Sequence, residues 1–274
     1  VPTVLVTGAA RGIGRAIAGA LAERGWTVYA GVRREADATT LAAAGLIPVS
    51  LDITDGDSVR ALPDALGGQL DALVNNAGIV QSGPLEGLPI EHLRHQLEVN
   101  VVGQVAVTQA VLPLLRATRG RIVFISSVSG RVSTPLLGAY GGSKFALEAI
   151  ADALRVELRP WRIAVALIEP GSIDTDIWRR AQETADEVEA SLTPEHRELY
   201  ARQIERLRKL ARIVQGRTTP PEKVAEAVLT ALTAGRPRAR YVVGADAWAQ
   251  LAGRALLPTR AWDALLALAT GSTR

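Results

Sequence analysis

Tyr140 and Lys144 are the residues whose types and spacing most directly suggest chemistry in this chain. At i and i+4 on a helix, a phenol and an ammonium share one face. Their reference pKa values are roughly 10 and roughly 10.4. A neighbouring positive charge favours phenolate and so lowers the tyrosine. A phenol held this way can give and take a proton near neutral pH. The pair alone is a weak signal, because Tyr-x-x-x-Lys also occurs on ordinary solvated surfaces. Its meaning depends on what the rest of the chain puts beside it.

The elements that must position the pair read as alternating strands and helices. Thr3 to Thr7 is a short β-branched run of the kind that forms a buried strand. It leads directly into Gly8-Ala9-Ala10-Arg11-Gly12-Ile13-Gly14, and helical periodicity follows over Ala16 to Arg24. In a strand, glycine turn and helix of this kind the backbone can approach a pyrophosphate closely. The helix N-terminus then presents free N–H groups to it. Thr27 to Val32 predicts a second strand, followed by Arg33 and Arg34 where an NAD site would carry an acid for the ribose hydroxyls. With Arg11 in the glycine loop, these guanidinium groups suit a 2′-phosphate, so the cofactor expected is NADP(H).

Further strands are predicted over Leu46 to Leu51, Leu70 to Val74, Gly120 to Ser126, Arg162 to Ile168 and Tyr241 to Val243. Helices are predicted over Asp55 to Leu66, Ile90 to Arg116 and Ala139 to Leu158. This alternation implies an α/β fold with a doubly wound parallel sheet of Rossmann type. Functional groups then collect at the carboxyl ends of the strands. Gly8, Arg33, Asp52, Asn75, Ser126-Ser127 and Pro170-Gly171 all fall at such ends.

Composition narrows the classes. The chain has 274 residues, 48% of them hydrophobic, enough for one large domain. It has no cysteine, which removes disulfides and thiol chemistry, and its three histidines are too scattered to suggest a zinc site. The formal net charge is +3, with arginines dispersed among acids, so nucleic acid is not an expected partner. No secretory signal pattern opens the sequence and no apolar run reads as a membrane span, so a cytoplasmic location is expected.

With these motifs in place, the chain resembles the short-chain dehydrogenase/reductase family, within it most nearly a hydroxysteroid and retinol dehydrogenase branch. The residues that carry the likeness are Thr7-Gly8-x-x-x-Gly12-Ile13-Gly14, Asn75-Asn76-Ala77-Gly78, Asn100, Ser127, the Tyr140 and Lys144 pair, and Pro170-Gly171-Ser172-Ile173-Asp174-Thr175. The resemblance implies a catalytic set of Ser127, Tyr140, Lys144 and Asn100. Lys144 would also bind the nicotinamide ribose, and Asn100 would hold a water linking Lys144 to solvent. It implies a cofactor site built from Gly8, Arg11, Gly12, Ile13, Gly14, Arg33, Arg34, Asp52, Asn76, Ala77, Gly78, Tyr140, Lys144, Pro170, Gly171, Ile173 and Thr175. It also implies a homodimer or homotetramer.

The activity expected is hydride transfer between NADP(H) and a carbonyl or secondary alcohol. A β-ketoacyl reductase shares the same motifs, and an NADP(H)-sensing regulatory protein could keep the fold without turnover. The expected organisation is one catalytic domain over 1–274, with a substrate-lid insertion at 176–217 and a helical tail at 245–274. Within the insertion Thr193 reads as an N-cap with Pro194 at N1. Leu199, Tyr200, Ile204, Leu207, Leu210, Ala211 and Val214 follow at helical spacing, with Trp178 at the entry. That stripe points to a small lipophilic substrate such as a steroid, a retinoid or another bulky ketone. Thr219 reads as a further N-cap. The tail, with Leu251, Leu256, Leu257, Trp262, Leu265, Leu266 and Leu268, suits domain capping or subunit contact more than a membrane surface.

Overall fold

Seven strands hydrogen-bond into one sheet in the order β3-β2-β1-β4-β5-β6-β7 in the computed structural model, which describes residues 1–175, 186–190, 192–215 and 218–272. They are β1 (Thr3–Thr7), β2 (Thr27–Val32), β3 (Ile47–Ser50), β4 (Ala72–Asn75), β5 (Arg121–Ile125), β6 (Ala164–Pro170) and β7 (Arg240–Val243). Every pairing is parallel. All carboxyl ends therefore share one edge. The chain winds outward from β1 to β3, then returns to β4 on the other side of β1. That reversal opens a crevice beyond β1 and β4, the place where ligands bind in open sheets of this kind.

Side-chain alternation along the strands fills two cores. Val4, Val6, Val123 and Ile168 face one side, where Ile17 and Leu21 of helix α1 (Gly12–Glu23) cover them together with Val224 and Val228 of the helix Pro221–Thr233. Leu5, Leu73, Phe124 and Leu167 face the other side. There Val107 and Val111 of α6 (Gly103–Thr118) and Leu147 of α7 (Gly138–Glu157) pack on them. Burial of each such side chain is worth roughly 1.5–3 kcal/mol, which fixes the helices that carry the site.

Several expected elements differ in detail. Helix α2 (Glu35–Ala43) buries only Leu41, so it has no apolar stripe for a periodicity argument to find. The helix expected over Asp55 to Leu66 is broken into α3 (Gly56–Arg60) and α4 (Leu62–Ala65), and Pro63 opens the second piece. The long helix from Ile90 comprises α5 (Ile90–Leu97), a π turn at Glu98–Val102 and α6. By length and composition Ile90–Thr118 passes as a membrane span, contrary to the sequence reading. Here it buries Val99, Asn100, Gln104, Val107, Thr108, Val111 and Leu115 inside the fold.

In the insertion, Thr193 does cap the helix Pro194–Gln215, its Oγ1 accepting the His196 N–H at 3.1 Å. Ile204, Leu207 and Leu210 are half-buried, but Leu199 is 59% exposed, so the expected stripe does not begin there. Val188 and Leu192 are buried where the chain passes Gly83 and Gly87. Trp178 and the side chains of Ala211 and Val214 lie outside the described residues. Thr219 is not the N-cap expected of it, since Pro220 holds that position. Its backbone instead pairs with Ser172 and Asp174. The tail forms two helices, Ala245–Leu256 and Thr259–Thr270, and its Ala247 and Trp262 pack on Val128 and Val132 just past Ser127.

Candidate active site

The glycine loop leaves β1 at Thr7 and is held from the β4 side. The Thr7 hydroxyl accepts the N–H groups of Asn76 at 2.9 Å and Ala77 at 3.0 Å. Asn76 Nδ2 donates back to the carbonyls of Thr7 at 2.9 Å and Gly8 at 3.2 Å. Gly8 and Gly12 sit at φ +65° and +52°, where a side chain would be strained. A Cβ on Gly14 would overlap the Gly8 carbonyl and lie 2.5 Å from Asn76 Nδ2. The loop and α1 therefore meet with no room to spare. Arg11 is the N-cap of α1 but makes no side-chain cap bond, which leaves the first-turn N–H groups, from Gly12, Ile13 and Gly14, without a partner among the described residues and able to receive an anion.

The arginines beyond β2 divide. The Arg34 guanidinium closes on Asp37, with Nε and Nη2 each 2.8 Å from a carboxylate oxygen. Its fork is thus already engaged in this structure, where the sequence reading expected it open. Arg33 is two-thirds exposed and only 3.8 Å from Asp52 Oδ2. Asp52 is also bound by the Thr54 N–H and hydroxyl, at 2.9 and 2.7 Å. Desolvation acts against its ionised form, but the Thr54 hydrogen bonds and the Arg33 charge outweigh it and hold the carboxyl below its usual range.

The segment after β6 is pinned by a residue that the sequence reading missed. Asp246, in the first turn of the helix Ala245–Leu256, accepts the Ser172 N–H at 2.7 Å and lies hard against Gly171. Gly171 N–H bonds to Val243 across β7, and Ile173 bridges to Thr219. Thr175 is thereby placed against Gly12, where a glycine Cβ would come within 3.3 Å of its side chain. Its Oγ1 is buried and has no hydrogen-bond partner among the described residues. An orphaned hydroxyl facing a glycine cradle, together with a free helix N-terminus, is a set of groups that fits a dinucleotide.

Ser127 follows β5 and caps a short helical turn, accepting the Ser129 N–H at 3.1 Å. Tyr140 and Lys144 are buried on the first turns of α7. Burial raises the Tyr140 phenol above its ordinary value, and a hydrogen bond with Ser127 offsets part of that rise. Burial thus prevails over the lowering expected from Lys144. Its Nζ donates to the Ile125 carbonyl at 2.7 Å and stands 5.9 Å from the centre of the Tyr140 ring. Burial also lowers Lys144 to about 8, with the Glu148 charge acting in the other direction.

Asn100 lies in the π turn and is wholly buried. Its amide is taken up by the Ile79 N–H (2.9 Å), the Ile79 carbonyl (3.0 Å) and the Ser143 hydroxyl (3.1 Å). Both amide hydrogens are therefore occupied, and the side chain acts as a clamp from Ile79 to α7. Gln104, one turn later, fixes the Ala77 carbonyl at 2.8 Å. Its place four residues after Asn100, on the same helix face, is a signal that the sequence reading did not use. Asp246 left none, because its target is 74 residues away. The structure thus gathers Ser127, Tyr140, Lys144 and the glycine loop on one edge of the sheet.

The short chain dehydrogenase family model matches residues 2–186, more than half of the chain. The chain belongs to that family. It is 36% identical over 272 residues to an NADPH-dependent 3-dehydrocapnine reductase of Ornithobacterium rhinotracheale, covering 94% of each chain. It is 36% identical over 276 residues to retinol dehydrogenase 16 of Mus musculus, covering 96% of this chain and 87% of that one. Among solved structures it superposes on a short chain dehydrogenase from Burkholderia cenocepacia J2315 in complex with NADP. The TM-score is 0.76 at 29% identity, with 97% of both chains covered.

Proposed function

We propose that this protein is an NADP(H)-dependent oxidoreductase that interconverts a ketone and a secondary alcohol on a bulky lipophilic substrate. The observation that carries the reading is the joint burial of Ser127, Tyr140 and Lys144 at the carboxyl edge of the sheet that also bears the glycine cradle. Bound NADP(H) supplies or accepts the hydride. The protein's own groups manage the proton and the developing charge. Burial keeps Tyr140 protonated near neutral pH, so in reduction it is ready as a proton donor. The Ser127 hydroxyl and the Tyr140 phenol together are preorganised donors to the substrate oxygen as it becomes an alkoxide. In oxidation the phenolate must form, and the Ser127 hydrogen bond and the Lys144 ammonium are the groups that favour it.

For the cofactor, the reading assigns the first turn of α1 to the pyrophosphate, Lys144 to the nicotinamide ribose and the segment Pro170 to Thr175 to the nicotinamide. It assigns Arg33 and Arg11 to the 2′-phosphate. The lipophilic substrate class draws support from the apolar surround of Tyr140, which packs with Val80 and Leu137, and from the similarity to a retinol dehydrogenase. Phe145 and Val156, exposed on α7, supply apolar surface for the expected subunit contact.

The test is NADPH oxidation with a panel of steroids, retinoids, aryl ketones and acyl thioesters. Turnover of the lipophilic ketones is expected, and Tyr140→Phe should abolish it while NADPH still binds. Turnover of the acyl thioesters alone would replace the substrate class. Tight NADPH binding with no turnover across the panel would overturn the enzyme reading.

A further inference from the structure

Behind the Tyr140 and Lys144 pair lies a buried charge cluster that the proton chemistry above leaves unused. Glu148 is one turn beyond Lys144 on α7 and only 6% exposed. A Cβ on Gly130 would come within 2.9 Å of Glu148 Cγ and 3.1 Å of the Lys144 carbonyl oxygen. The bare glycine therefore lets the carboxylate lie between α7 and the turn that follows Ser127. Glu148 Oε2 accepts from Arg240 Nε of β7 at 2.9 Å, while Oε1 is buried with no hydrogen-bond partner among the described residues.

Other charges crowd around Glu148. Arg240 Nε is also 3.0 Å from Glu169 Oε1 on β6, and its Nη2 donates to Asp152 at 2.8 Å. Arg131 Nη1 stands 3.5 Å from both Glu169 oxygens, and Arg155 holds Asp152 at 2.6 Å. Glu148 and Glu169 thus share one guanidinium, and two buried carboxylates so close do not both ionise freely. Glu169 is fully buried, and desolvation together with the Glu148 charge raises it. Arg240 Nε donates a hydrogen bond to Glu148 and meets Glu169 as an ion pair. Lys144 lies at i−4 on the same face of α7, and the Glu148 charge favours its protonated form.

We infer that Glu148, secured by Arg240, is a positioning residue for the reaction, holding Lys144 as an ammonium beside Tyr140. The inference rests on the proposed role of Tyr140 and Lys144 in proton transfer. An ammonium buried in low dielectric tends to lose its proton. The carboxylate one turn away opposes that loss, and Arg240 holds the carboxylate in place.

The chain has three lysines, and Lys209 and Lys223 are exposed, so the 13Cε signal of Lys144 can be followed in lysine-labelled protein. Its NMR titration midpoint should fall by roughly one pH unit in Glu148→Gln. It should return toward the wild-type value in Glu148→Asp. In parallel, the alkaline limb of kcat/KM should move down with the midpoint, leaving activity near pH 6 little changed. An unmoved midpoint overturns the inference whether or not the protein turns over a ketone. A uniform loss of activity at every pH with no displaced limb reduces Glu148 to a structural part and also overturns it. A displaced midpoint with an unmoved limb would instead remove Lys144 from the reaction, and with it the reading on which the inference stands.

Discussion

Two glycines on the same helix give opposite expectations for the same substitution. Gly14 and Gly19 both lie in α1, so an alanine at either gains the same intrinsic helix propensity, about 0.8–1 kcal/mol. At Gly19 no atom lies within 4 Å of the added Cβ. Gly19→Ala should therefore stabilise the protein by about 0.5–1 kcal/mol. At Gly14 the Cβ would run into the Gly8 carbonyl and the Asn76 amide. Neither group can yield cheaply, because Asn76 Nδ2 holds Thr7 and Gly8 while its N–H is held by Thr7 Oγ1.

Overpacking of this kind costs about 1–3 kcal/mol, and each Asn76 bond displaced adds about 1 kcal/mol. Less the propensity gain, Gly14→Ala should cost roughly 1–4 kcal/mol. At about 2–4 °C per kcal/mol for chains approaching this size, the middle of that range lowers Tm by roughly 5–10 °C. Thermal unfolding of both variants, with NADPH fluorescence titration alongside, measures the contrast. Gly14→Ala should also weaken NADPH binding, while Gly19→Ala should leave it unchanged. If Gly14→Ala melts within a degree of wild type, or if both variants move the same way by similar amounts, the tight loop-to-helix contact is wrong.

Other perturbations follow from the same geometry. Asn100→Ala leaves the half-buried Ile79 N–H without its partner, at about 1–3 kcal/mol, while Gln96 Nε2 still donates to the Ile79 carbonyl. Its urea midpoint should fall with an unchanged m-value, and an unchanged midpoint would remove the clamp. Asp246→Ala frees Ser172, so KM for NADPH should rise several-fold while kcat with saturating NADPH changes little; an unaltered KM would show that the segment is held without it. Arg33→Glu should raise KM for NADPH far more than for NADH, and equal effects on both would refute its assignment to the 2′-phosphate. With Lys144 lowered to about 8, its charge is present below that pH and lost above it. The kcat/KM profile should therefore decline as pH rises through about 8, and a flat profile up to about pH 10 would contradict a role for the ammonium.

Much of the fold was legible because local chemistry and tertiary demand agreed. The β-branched runs at Thr3–Thr7 and Thr27–Val32 became strands at those bounds, since strands buried on both faces are continuous apolar runs. Helix α2 was not legible, because with Leu41 as its one buried side chain it carries no period. Thr219 misled because a Thr before two prolines resembles a cap, whereas its backbone was needed to pair with Ser172 and Asp174.

The site divides along the same line. Tyr140 with Lys144, and the glycine spacing from Gly8 to Gly14, are readable in the chain because one helix face and one turn contain each of them. The direction of the Tyr140 shift is not readable, because it comes from desolvation by distant elements, which outweighs the hydrogen bond from Ser127 beyond β5. Arg34 looked as available as Arg33 until Asp37, three residues on, was seen to close its fork. Asp246 and Arg240 act on Ser172 and Glu148 across 74 and 92 residues. The sequence alone determined which residues can exchange protons and where a phosphate fits, since those depend on side-chain type and local spacing. The tertiary structure decided which of those groups are buried, which are already paired and which charges face one another, since dielectric and pairing are properties of the packed whole.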